Sequence, residues 1–199
     1  MFANILVGLL GALVFLFLFW QRLKEDYLPE NIFTVAFYQL IGIIIGIIIS
    51  QKFFPEWWFW IVFISFMATL GIGVARYKLR AYEVLESSVF AIIPWLSMFF
   101  LLDAVETSKV SSLIGFLLFI GAIGVFTMLD TKYKSFSWYK SGRIGFSGLT
   151  ILGVIFLIRA VLAVFFTNVL SLVGTGDVIF SSVVAFVSFL LLFNLARKT

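Results

Sequence analysis

The sequence predicts an all-α fold: a polytopic helical membrane bundle of about seven transmembrane helices, one domain over 1–199, N-terminus outside and C-terminus cytoplasmic. Three observations carry that expectation. Of 199 residues, 63% are hydrophobic and only 12% charged, where soluble domains have roughly 45–50% and 25%, so much apolar surface must face lipid. Apolar runs long enough to cross about 30 Å of hydrocarbon, at about 1.5 Å per residue, recur along the chain. The segments between them alternate between rich and poor in lysine and arginine.

The runs lie near 2–20, 32–50, 57–75, 87–104, 110–129, 144–166 and 178–195. The first has neither a basic leader nor a small-residue cleavage site and runs straight into QRLKED, so it is expected to stay attached rather than be removed as a signal peptide. Asn31, after Pro29, is expected to cap the second helix, and residues 76–86 to form an interfacial amphipathic stretch. Gly42, Gly46 and Ser50 line one face of the second span at spacing four, which predicts a central, closely packed helix. Pro94 should kink the fourth span.

Basic residues fix the orientation. Arg22, Lys24, Arg76, Lys78, Arg80, Lys132, Lys134, Lys140, Arg143, Arg197 and Lys198 fall on one side, eleven in all, against Lys52 and Lys109 on the other. The rich side is cytoplasmic by the positive-inside rule. The net charge of +4 therefore reports orientation and anionic headgroups, and no nucleic-acid partner is expected. Trp20, Tyr27, Tyr77, Tyr82, Trp138 and Tyr139 fit the inner aromatic belt, and Trp57, Trp58 and Trp60 the outer one.

The chain has no cysteine and no histidine. Disulfides, thiolate nucleophiles, imidazole bases and His/Cys metal sites are excluded, and no metal or cofactor is expected.

The fourteenth basic residue, Arg159, lies inside IFLIRAVLAVFF, roughly 20 Å along the sixth span and in the outer half of the bilayer. A guanidinium there costs about 2.5–3.5 kcal/mol on insertion scales. Either it faces the bundle, paired with an anion, or it snorkels to the outer headgroups. Asp103, at the outer end of the fourth span, is the expected partner, with Glu106 just beyond; a solvated helix end is the other reading of Asp103. Asp130 is expected to pair with Lys132 or Lys134, Gln39 to hold helices together through its amide, and VGTGD at 173–177 to form a turn before the last helix.

Three stretches carry a family resemblance: LKEDYLPENIFTVAFYQLIGIIIGIIIS (23–50), ARYKLRAYEVLESSVFAIIPWL (75–96) and GFSGLTILGVIFLIRAVLAVF (145–165). Together with seven spans and an outer N-terminus, they resemble the phosphatidylglycerol:prolipoprotein diacylglyceryl transferases, multi-pass enzymes of the bacterial plasma membrane. The resemblance implies transfer of a diacylglyceryl group from phosphatidylglycerol to a lipoprotein cysteine, with phosphatidylglycerol and a prolipoprotein signal peptide as partners. It implies phosphate binding and charge stabilisation for Arg159, matching the family's late-helix arginine; a planar fork of donors suits that task.

Departures from the pattern are specific. The family's functional histidine has no counterpart, the arginine near the end of its second helix is replaced by IGIIIS, and its Gly-Arg-Ile-Gly-Asn-Phe motif corresponds to FFLLDAVE at 99–106. GRIGF does occur, at 142–146, but on the cytoplasmic end of the sixth span and without the asparagine. In the transferase reading, Asp103 and Arg159 are the catalytic candidates, and Arg159, Glu106 and Gln39 the substrate-binding ones. The competing readings are a non-catalytic lipid-binding or scaffold protein of the same fold and, less well supported by the sparse polar residues, a small transporter.

Overall fold

The computed structural model describes residues 2–136, 138–139, 144–165 and 174–197. Among them are seven long helices, α1 (Phe2–Leu23), α2 (Pro29–Phe53), α3 (Trp58–Tyr77), α4 (Ala81–Thr107), α5 (Val110–Lys132), α6 (Phe146–Phe165) and α7 (Gly174–Arg197), and no strand. All seven contain stretches long and apolar enough to cross a membrane. The chain is thus an all-α, multi-pass membrane bundle.

Helix α4 is the hub, with α1, α5 and α6 packed against it; α2 pairs with α3, and α6 with α7. The small-residue face of α2 does bring the backbones together. A Cβ on Gly42 would sit 2.8 Å from the Ser65 carbonyl oxygen, and one on Gly46 2.7 Å from the Val62 Cα. The contact is with α3 at the side of the bundle, so α2 is closely packed but not central. Phe15 and Phe19 of α1, Val35 and Ala36 of α2, and Phe66 of α3 form the largest apolar core beside it.

Local signals correct several sequence expectations. Leu28, not Asn31, precedes the second helix, because Pro29 takes the first helical position, where its missing N–H costs nothing. Residues 76–86 are not one amphipathic stretch. Tyr77 ends α3, Lys78 turns in the left-handed conformation at φ 52°, and Ala81 opens α4. Glu83 and Glu86, placed in that stretch, are buried. The GTGD part of VGTGD is not a turn but the first turn of α7, with Asp177 in it; Val173 and the Gly142 and Arg143 of GRIGF lie outside the described residues.

At the basic end, charge holds four helices together. Arg22, at the end of α1, donates to both carboxylate oxygens of Asp130 on α5 and, at 2.5 Å, to Glu86 Oε1 on α4. The other Glu86 oxygen accepts the backbone N–H groups of Gly145 at 2.9 Å and Gly148 at 3.1 Å. Glu86 thereby caps α6 from another helix, where free N–H groups and the helix dipole favour an anion. The pairing expected of Asp130 with Lys132 or Lys134 is replaced by this one, because a planar fork matches a carboxylate bidentately where an ammonium cannot. Beside it, Tyr27 donates to Glu83, and the Arg80 backbone N–H donates to the Tyr27 hydroxyl at 3.2 Å, tying the α1–α2 and α3–α4 connections. Burial and the Glu83 hydrogen bond raise the Tyr27 hydroxyl above the usual phenol range.

Two substitutions test this packing. Gly46→Leu, which must push α2 off the α3 backbone, should lower the unfolding temperature strongly, whereas Gly8→Ala, where a Cβ meets nothing within 4 Å, should leave it unchanged or raise it slightly. Glu86→Ala leaves Arg22 with Asp130 alone and two backbone donors of α6 without their acceptor, and should cost about 2 kcal/mol or more in a detergent-unfolding titration.

Candidate functional site

Arg159 turns inward. Only 13% of its side chain is exposed, and its Nη2 donates to Asp177 Oδ1 at 2.6 Å. The Asp177 side chain is fully buried at the start of α7, and the same Oδ1 accepts the Trp60 indole N–H at 2.6 Å. The guanidinium carbon lies 3.8 Å from the centroid of the Phe59 ring and 5.6 Å from that of Trp60. Helices α3, α6 and α7 therefore each contribute to one polar cluster in an otherwise apolar region.

The energetics account for its survival there. Against insertion costs of about 3 kcal/mol each for Arg159 and Asp177, a desolvated cation–π contact returns about 2 kcal/mol. The charge-assisted hydrogen bonds from Arg159 and Trp60 to Asp177 add about 1.5–3 kcal/mol each. Asp177 gains further from its place in the first turn of α7, where the helix dipole favours a negative charge. Snorkelling is unnecessary for a cation so placed.

Aromatic rings surround the cluster and join α3 to the α6–α7 pair. Phe63 meets Phe156 at 5.0 Å between centroids, Trp60 meets Phe180 at 5.3 Å, and Trp57 meets Phe180 at 5.7 Å. On this seam a cleft of about 320 Å³ is lined by Phe54, Trp57, Trp60, Ile61, Ile64 and Phe180. Its lining is apolar, and the Trp60 ring separates it from the ion pair. A hydrocarbon chain fits such a lining; a soluble polar metabolite does not.

The other expected site residues lie elsewhere. Asp103 accepts a hydrogen bond from the Ser112 hydroxyl across the α4–α5 hairpin, and Arg159 is not its partner. Hairpin geometry explains the exchange: Asp177 is only 18 residues beyond Arg159 and returns on the neighbouring helix, while α7 packs along α6 throughout. Glu106 is exposed and forms no ion pair among the described residues. Gln39 is fully buried on α2, next to Val35 and Ala36 of the α1–α3 core, and neither end of its amide has a hydrogen-bond partner among the described residues. It does not join α2 to another helix through its amide as expected. Asp177 and Trp60 are the members the sequence reading missed; an acidic residue in the first turn of the helix after Arg159 was the available clue.

Among the described residues no group of His, Cys, Asp or Glu is arranged to hold a metal ion. Removing one partner of the ion pair leaves the other buried and uncompensated, so Arg159→Leu alone should destabilise by about 3 kcal/mol. The double variant Arg159→Leu/Asp177→Leu should recover most of that loss, read as a double-mutant cycle of unfolding free energies. Comparison with protein-family models, with curated proteins and with solved structures finds no match to this chain.

Proposed function

We propose that this chain is a phospholipid-binding membrane protein of the prolipoprotein diacylglyceryl transferase type, which holds an anionic glycerophospholipid, phosphatidylglycerol by the resemblance, in the outer leaflet of a bacterial plasma membrane. The observation that carries the reading is the inward-facing Arg159, held at the α3–α7 seam directly behind an apolar cleft. An acyl chain fills the cleft, and the headgroup phosphate reaches past Trp60 to the guanidinium, a buried cation in the outer half of α6.

Binding without turnover is the form of this function that the geometry favours. Transfer to a cysteine thiol needs a base near the phosphate to take the thiol proton. Asp103 is engaged with Ser112 on another hairpin, and one oxygen of Asp177 already accepts from both Arg159 and Trp60. Neither stands ready as a base.

Purified protein incubated with phosphatidylglycerol and a lipobox peptide, beside an active diacylglyceryl transferase, separates the forms. Retention of phosphatidylglycerol by native mass spectrometry with no thioether product is the expected result. A thioether product would make the chain a transferase; failure to retain phosphatidylglycerol over phosphatidylcholine would remove the lipid-binding reading.

A further inference from the structure

We propose that Asp177 is an internal competitor for the lipid phosphate, an autoinhibitory carboxylate that occupies the Arg159 guanidinium and sets how strongly the outer cleft selects anionic lipid. This rests on the lipid-binding reading above and adds a regulatory element to the same site.

Three features of the cluster carry it. First, Arg159 and Asp177 together are electrically neutral, so the cluster behind Trp60 offers an anion no net positive charge while they are paired. A phosphate gains the full attraction of the guanidinium only when the carboxylate gives way. Second, Asp177 is built to stay: it is fully buried, in the first turn of a helix, with the Trp60 indole N–H on the same oxygen that receives Arg159. Third, that indole is also part of the cleft lining. A chain entering the cleft presses on the ring whose N–H holds the carboxylate, so occupancy of the cleft and release of the guanidinium are mechanically linked through one side chain.

Carboxylate and phosphate present the same chemistry to an arginine, planar or tetrahedral oxygens accepting paired N–H donors. The occupant is a lipid phosphate rather than a free one because the neighbouring cleft, on the other side of Trp60, is lined by Phe54, Trp57, Ile61, Ile64 and Phe180, which suit an acyl chain and exclude a hydrated ion.

The test uses the full chain in phosphatidylcholine bilayers, with quenching of tryptophan fluorescence by brominated phosphatidylglycerol or brominated phosphatidylcholine giving the relative affinity. Asp177→Asn keeps the size of the side chain and an acceptor for Trp60 but removes the charge. It should raise selectivity for phosphatidylglycerol about tenfold, the scale of typical coupling between sites. Trp60→Phe, a milder change that takes away the indole donor fixing the carboxylate but leaves its pairing with Arg159, should move selectivity the same way by less. Arg159→Gln should abolish the gain in either background, and glycerol phosphate in the aqueous phase should not compete.

Unchanged or reduced selectivity in Asp177→Asn and Trp60→Phe, in protein that still unfolds cooperatively, overturns the competitor role. If Arg159→Gln weakens phosphatidylglycerol binding in that case, the lipid site stands and only the autoinhibition falls. If Arg159→Gln changes nothing, the lipid-binding reading falls with it. Competition by glycerol phosphate would transfer the site to a soluble anion and overturn the lipid assignment.

Discussion

Glu86 is the residue on which the arrangement of the bundle most depends. Inside a membrane, apolar contact between helices gives little advantage over contact with lipid, so what fixes helices relative to one another is close backbone approach and satisfied polar groups. One carboxylate here serves three helices: one oxygen receives Arg22 of α1, and the other receives two backbone N–H groups at the start of α6, while its own backbone belongs to α4. Through Arg22 the link extends to Asp130 of α5. The register of α6, and hence the depth at which Arg159 sits on it, is set at the opposite end of the helix by this carboxylate. The outer cluster then needs only α3 and α7 to supply its remaining parts.

The two polar clusters differ in how they settle their charges. At the basic end, two carboxylates share one guanidinium and the partial positive charge of the α6 N-terminus, with the Arg22 and Asp130 side chains about a quarter exposed. At the outer end, the ion pair seen among the described residues joins one cation, 13% exposed, to one fully buried anion, with aromatic rings packed around them. The first arrangement suits a permanent joint. The second is a pair whose members each have a costly alternative, which is why exchange of one partner for a ligand group is energetically conceivable there and not at the joint.

Much of this architecture was legible in the chain. The seven apolar runs, the glycine face of α2 and the inward pull on Arg159 all follow from the cost of exposing backbone or charge to hydrocarbon, and that cost depends on depth, which sequence spacing reports directly. What spacing does not report is rotation about each helix axis and which helices are neighbours. Asp103 and Asp177 both stand at outer helix ends, and only packing decides which of them Arg159 meets; the answer was the adjacent helix of the same hairpin. Likewise Glu86 read as the end of an interfacial amphipathic stretch, RYKLRAYEVLE, whereas α4 starts early enough to carry it into the interior. Trp60 read as a membrane-belt anchor, and its second role as a donor to Asp177 has no sequence correlate beyond the residue type.

The span of the Arg22 contacts has a bearing on how the protein is made. Its two acceptors lie 64 and 108 residues further along the chain, so during synthesis the arginine enters the membrane region long before either has left the ribosome. Glu86 in turn waits for Gly145 and Gly148, 59 and 62 residues later. Helices α1 and α4 thus each carry a charged group whose partners lie in a later segment. Arg22 and Asp130 can satisfy each other once α5 is in place, whereas the second oxygen of Glu86 gets its backbone donors only when α6 arrives.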